Sequence, residues 1–260
     1  MLVGAADTAA LVARLAVAKI PSYRAEPVVL ERVACVQLTA EMRKSAREAL
    51  LPKSLHPTNP PALSLQLMDV GSSPWGAFRV VIGRVSCRSG VRARGFTTAA
   101  FASTRESCEG LRSVLGFPAR VATIEMRHGY DGVDASVALD GKTILRVNAI
   151  DPEPMDVHDV QYTGTLNLAH TPQGLRLVQV EADHEATRVE RLRARLGAFD
   201  GAAFGNDLIV PAFVVSSSLA QERVVFPPIR FVCKPDELAF TGTESVQREG
   251  RAEGAGQTRV

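Results

Sequence analysis

The chain has 260 residues, of which 46% are hydrophobic and 22% charged, a composition that supports a globular fold with a sizeable core. Thirty Lys and Arg stand against 28 Asp and Glu, a net charge of +2, so nothing drives the chain toward nucleic acid or an anionic membrane surface. No apolar run reaches the roughly 18 residues that a membrane-spanning helix needs.

The first residues, MLVGAADTAALVARLAVAKIP, are apolar but have no basic lead-in, and Asp7 and Arg14 interrupt them. They predict an amphipathic helix over 5–19 rather than a secretory signal, and a cytoplasmic protein. Val28 to Leu38 predicts a strand, and 41–51 a short helix with Thr39 as its N-cap. Residues 52–61 carry four prolines and read as a loop. From Ala62 to Glu106 three strands follow: ALSLQLMDV, FRVVIGRVSCRS and VRARGFTTAAFAS, separated by Gly-Ser-Ser-Pro and Ser-Gly. Residues 107–117 predict a helix ahead of Pro118.

Two hairpins then turn at Tyr130-Asp131-Gly132 and Asp140-Gly141, and a third pair of strands flanks 171–174. Arg188 to Phe199 predicts a basic helix or ordered turn, and 210–218 and 223–233 the last strands. The expected domain therefore spans 1–242, with 243–260 a disordered tail rich in Gly, Glu, Arg and Gln. Short helices among many hairpin-connected strands predict a mainly β (α+β) fold, a barrel or sandwich. The four cysteines form no CxxC pair and no His stands at ligand spacing to them, so they read as reduced thiols and not as metal ligands.

Two stretches carry a resemblance. One is GLRSVLGFPARV, Gly110 to Val121, leading into the hairpin that ends at Ile150. The other is AFDGAAFGNDLIVPAFVVSSSLAQERVVFPP, Ala198 to Pro228. In order and spacing they resemble the acetoacetate decarboxylase family over roughly 28–232. The resemblance implies a closed antiparallel β-barrel with peripheral helices, an interior cavity and a homo-oligomer. The chemistry it implies is Schiff-base decarboxylation of a β-keto acid by a lysine of lowered pKa.

That lysine has no counterpart. Anchored on the Gly141-Lys142 turn, its position falls at Glu153, between Pro152 and Pro154, and no lysine occurs from Thr143 to Pro228. Lys142 stands about 30 Å away at the other end of the strand. The family's helical glutamate falls at Ser113, after Arg112, and the lysine pair after the aromatic-Pro becomes Ala119-Arg120.

Strict alternation from Thr143 puts Leu145, Val147, Ala149, Asp151 and Glu153 on one face, with Arg146 on the other. If that face lines the cavity, Asp151 and Glu153 are the candidate general acid and base. Arg112, Ser113, Arg146, Phe117 and the same-face pair Glu125 and Arg127 are the candidate substrate-binding residues. Arg79, Arg84, Arg88, Arg92 and Arg94 recur on two strands, either to hold an acidic substrate or as an outer face. His128, His158, His170 and His184 stand in polar context and read as surface residues, and Cys108 as an inert thiol.

The expectation is a lysine-independent enzyme that uses acid–base groups and cavity shape on an enolisable or polyketide-like molecule, a carboxylate or β-dicarbonyl. It would cyclise, isomerise, dehydrate or decarboxylate it without a cofactor. An Arg-rich, Lys-poor, Ala- and Val-rich chain suggests a bacterial natural-product pathway. The alternative is a non-catalytic barrel that binds a ligand or stabilises a partner.

Overall fold

The computed structural model describes residues 3–247. Asp7 caps the first helix, α1 (Thr8–Arg14), by accepting a hydrogen bond from the Ala10 N–H. The expected 5–19 helix ends there because Ala18–Lys19 (β1) pairs in parallel with a later strand. Then come β2 (Val28–Glu41), α2 (Lys44–Leu50), β3 (His56–Pro57), β4 (Ala62–Ser72), β5 (Phe78–Ser89) and β6 (Arg92–Ala102). Thr39 is no N-cap: β2 continues through it to Glu41, and α2 begins three residues beyond that strand.

Thr104 caps α3 (Arg105–Leu115), which ends on Gly116 in the left-handed conformation. There follow β7 (Ala119–Val121), β8 (Thr123–His128), β9 (Gly132–Leu139) and β10 (Lys142–Pro154). Asp140 and Gly141 both have positive φ, the backbone that an Asp-Gly hairpin turn needs. A 3-10 turn at Val157–Asp159 leads to β11 (Gly164–Thr171) and β12 (Gly174–Val180). The chain then forms β13 (Asp183–Phe199), β14 (Val214–Phe226), β15 (Phe231–Cys233), α4 (Ala239–Gly242) and β16 (Thr243–Ser245). The expected basic helix at 188–199 is thus the second half of a long strand, and 214–226 is one strand rather than parts of two. The segment expected as a tail opens with β16, hydrogen-bonded to β15; residues 248–260 lie outside the described residues.

The fold is mainly β, but the expected closed barrel is not formed. One mixed sheet runs β16-β15-β12-β11-β6-β5-β4-β2-β14-β13-β10-β9-β8, with β1, β3 and β7 attached at its side. Its end strands, β8 and β16, do not pair with each other. The reason near β8 is local. The chain leaves the ladder at Ala122, so β7 pairs with β6 while β8 pairs with β9. The junction is bridged by single contacts, the Ala122 N–H to Ala102 O and an Arg79 Nη1 to Ile124 O bond of 3.4 Å.

Both faces of the central strands are covered. Val36, Leu38, Leu63, Leu65, Leu67, Val81 and Val85 point to one side, where α1, α2 and the β8–β9 hairpin complete an apolar core. Cys35, Met68, Val80, Ile82 and Val224 point to the other, where α3, β11, β12 and β15 pack. The alternation of each strand thus feeds two separate cores.

Candidate active site

The α3 face is not uniformly apolar, and the register shows where it changes. Ala220, Cys35, Met68 and Val80 stand side by side across β14, β2, β4 and β5. One pleat further along, Arg191 of β13 stands beside Ser218, Gln37, Gln66 and Ile82. The next row is Ser216, Thr39, Ser64 and Arg84. Two polar rows therefore adjoin an apolar floor on one face of four neighbouring strands.

At this boundary lies a cavity of about 310 Å³. Met68, Ile82, Phe117, Val180, Val224 and Phe226 form its apolar wall. Its polar wall is Gln66, Arg84, Arg94, Tyr162, Thr165, Glu181 and His184.

Arg84 is 6% exposed. Its guanidinium donates to Gln66 Oε1, to Thr165 Oγ1 at 2.7 Å and to Thr163 O at 3.4 Å, and its Nε has no partner. No carboxylate among the described residues pairs with it. Burial pushes this guanidinium down to about 10, so it still carries its charge at neutral pH. The neighbouring Arg94 has the opposite arrangement, a two-pronged pair with Glu181 at 2.9 and 2.5 Å. Two glycines make room for these side chains. A Cβ on Gly95 would meet the Arg84 stem at 3.0 Å, and one on Gly164 would meet Arg94 Nη1 at 1.8 Å.

The opposite wall is a three-residue group. Glu222 Oε2 accepts the Tyr162 hydroxyl at 2.5 Å and lies 3.1 Å from His184 Nδ1. The Tyr162 and His184 rings stack with centroids 3.6 Å apart. The Glu222 side chain has no exposure, and burial together with this carboxylate pushes the Tyr162 phenol above its ordinary value. With Nδ1 held by the carboxylate, the second ring nitrogen of His184, Nε2, has no partner among the described residues and lies on a cavity-lining side chain. A buried carboxylate behind a histidine fixes the ring and its tautomer, the arrangement of a positioned proton acceptor. Between the two walls, Gln66 Nε2 donates to Cys35 Sγ at 3.3 Å; burial, then the nearby Glu222, pushes that thiol well up.

Of the residues singled out from sequence, Phe117 lines this cavity, and Arg84 and Arg94 are the buried members of the arginine series. Arg79 pairs with Asp69 at 3.1 Å, and Arg88 is exposed. Asp151 and Glu153 are elsewhere. Alternation holds to Ala149; then Asp151 takes a φ of +58 and the register with β13 shifts between Ile150 and Glu153. Both carboxylates, each 53% exposed, reach the surface and pair with Arg193 at 3.6 Å and Arg191 at 3.0 Å. Arg112 serves structure, donating to the carbonyls of Ala16, Val17 and Ala119. Ser113 bonds back to Glu109 O on the helix. Glu125 and Arg127, 3.9 Å apart and exposed, line an open depression with Arg146.

No lysine lines the cavity. Ala119, the first position of the pair after the aromatic-Pro, is buried, and Arg120 caps Ala203 O and stacks over Phe101. Cys108 is buried, and burial pushes its thiol up. Among the described residues no three His, Cys, Asp or Glu side chains converge as a metal site, and no helix is long and apolar enough to cross a membrane.

His184 and Glu222 escaped the sequence reading. Asp183-His184-Glu185 looks like polar surface, and Glu222 is 38 residues away. The signal was the alternation of β13 itself, which puts His184 on the opposite side from Asp183 and Glu185.

These features define a mainly β protein with a partly open, charged cavity suited to a small organic molecule. The chain belongs to the acetoacetate decarboxylase family, whose model matches residues 16–202. Solved structures of similar fold include the acetoacetate decarboxylase of Legionella pneumophila, at 17% identity and a TM-score of 0.70, covering 81% of this chain and 88% of that one. The enduracididine biosynthesis enzyme MppR, complexed with pyruvate, is 18% identical with a TM-score of 0.62, over 80% of this chain and 90% of that one. An acetoacetate decarboxylase-like enzyme from Sphingomonas wittichii RW1 is 14% identical with a TM-score of 0.61, over 80% and 93%. No curated protein matches the sequence.

Proposed function

We propose that this chain is an enzyme acting on a compact enolisable carbonyl compound, a keto acid or β-dicarbonyl, by acid–base chemistry and without a lysine adduct. The observation that carries this reading is Arg84. A buried charge with only neutral partners costs several kcal/mol unless something completes it. An anionic or enolate oxygen entering the cavity does so. His184 Nε2 takes the proton from the carbon between the carbonyls, and the electron pair moves onto the oxygen held by Arg84. Glu222 orients and stabilises the resulting imidazolium, and Tyr162 covers it. The enolate is the common branch point for isomerisation, cyclisation, dehydration or decarboxylation.

The MppR likeness supports a place in bacterial secondary metabolism. The exposed apolar stretch of Leu208, Val210, Phe213 and Val215 supports a homo-oligomer.

The test follows the exchange of the acetoacetate methylene protons in heavy water, with borohydride trapping run in parallel. The wild type accelerates exchange, His184→Gln lowers the acceleration by about 10²- to 10⁴-fold, and no reduced adduct forms on the protein. A borohydride-trapped adduct on a lysine would overturn the reading. Binding without any exchange would favour a non-catalytic ligand carrier.

A further inference from the structure

A second, larger space adjoins the cavity. A groove of about 790 Å³ shares Arg84 and Thr163 with it. Its floor is formed by Gln37, Thr39, Ser64, Ser216 and Ser218 of the two polar rows, with Ser86 beyond them on β5. None of these six side chains makes a hydrogen bond to another group among the described residues. By contrast Ser217, between two of them but facing the other way, is satisfied by Leu192 O at 2.6 Å. No aromatic ring lines the groove, so it has no platform on which a sugar or base would stack. Its charged lining residues besides Arg84 are Asp159, Arg191 and Arg193. The only ion pairs of Arg191 and Arg193 among the described residues, to Glu153 and Asp151, are between side chains more than half exposed, and such pairs are worth little and exchange readily for a better anion.

We infer that the groove holds the arm of a thioester substrate, a chain of amides and a hydroxyl ending in phosphate, as in phosphopantetheine. The acyl head reaches the cavity at Arg84, the amides and hydroxyl meet the neutral polar rows, and the phosphate replaces the exposed carboxylates on Arg191 and Arg193. Three features meet here in sequence: a compact pocket for an enolisable head, a field of unpaired neutral donors and acceptors, and two exchangeable guanidiniums. A free keto acid would use only the first. The inference rests on the reading of the cavity above and names its substrate class.

The test measures binding of three probes by calorimetry: acetoacetate, acetoacetyl-pantetheine and acetoacetyl-coenzyme A. The expected result is at least tenfold tighter binding of both thioesters than of acetoacetate. The triple variant Ser64→Ala, Ser216→Ala, Ser218→Ala should lose about tenfold for the thioesters while leaving acetoacetate unchanged. Tighter binding of the coenzyme A ester than of the pantetheine ester, which ends in a hydroxyl, supports the phosphate contact with Arg191 and Arg193. Equal binding of the two would overturn that contact. If acetoacetate binds and the arm adds nothing, the inference falls and the cavity reading stands. If no probe binds, the cavity reading falls with it.

Discussion

The two faces of the central strands are built from neighbouring residues yet do different work. Leu63, Leu65, Leu67, Val81 and Val85 are all at or near zero exposure and meet only other apolar side chains. One residue further along the same strands, Ser64, Gln66 and Arg84 face the cavity and the groove, and the Ser64 hydroxyl and Arg84 Nε have no partner among the described residues. The difference separates residues that hold the sheet together from residues that the sheet holds out. Because β4 and β5 are anchored by their leucine side, their other side can keep a buried charge that has no counter-charge among the described residues.

This contrast can be broken from either side. Leu65→Ala on the apolar face should cost about 2–5 kcal/mol of unfolding free energy, read by denaturant titration, while the folded fraction keeps its affinity for acetoacetate. A comparable loss of affinity would mean that the two faces are coupled. Gly164→Ala probes the cavity wall, where a Cβ would meet Arg94 at 1.8 Å. The guanidinium must leave Glu181, which should cost about 1–3 kcal/mol and weaken ligand binding as well.

A charge that has its partner gives the baseline for Arg84. Lys142 Nζ lies 2.6 Å from Asp200 Oδ2, and this bond is the main cause that holds the Asp200 carboxyl below its ordinary value. A depressed carboxyl stabilises the fold above its unfolded pKa, and that contribution is lost as the pH falls through the folded value. Lys142→Ala should therefore shrink the loss of stability on acidification below about pH 4, by less than about 1 kcal/mol at this exposed pair. An unchanged acid limb in pH-dependent unfolding would contradict it.

Much of this was legible in the chain. Period-two patterning at 62–103 and the Asp-Gly turn at 140–141 gave strands that the structure contains, because local rules govern them. The Arg-, Leu- and Ala-rich segment 188–199 has the composition of a helix yet forms a strand, since pairing with β10 and β14 outweighs propensity. Its Arg191, Arg193 and Arg195 alternate at the strand period. The end of β10 misled in another way: a left-handed Asp151 ended the alternation that would have carried two carboxylates inward. The closed barrel failed at one residue, Ala122. The site was the least legible part because it joins β4, β5, β13 and β14, whose side chains meet only through the sheet order.

The most direct measurement is Arg84→Met, assayed for thermal stability and for acetoacetate binding on the same sample. Methionine fills the guanidinium stem and removes a buried charge that has no counter-charge among the described residues. The account predicts that Tm stays level or rises by a few degrees while affinity falls at least a hundredfold. A Tm lowered by several degrees with affinity retained would show that Arg84 is a structural residue, and the cavity would lose its anion site.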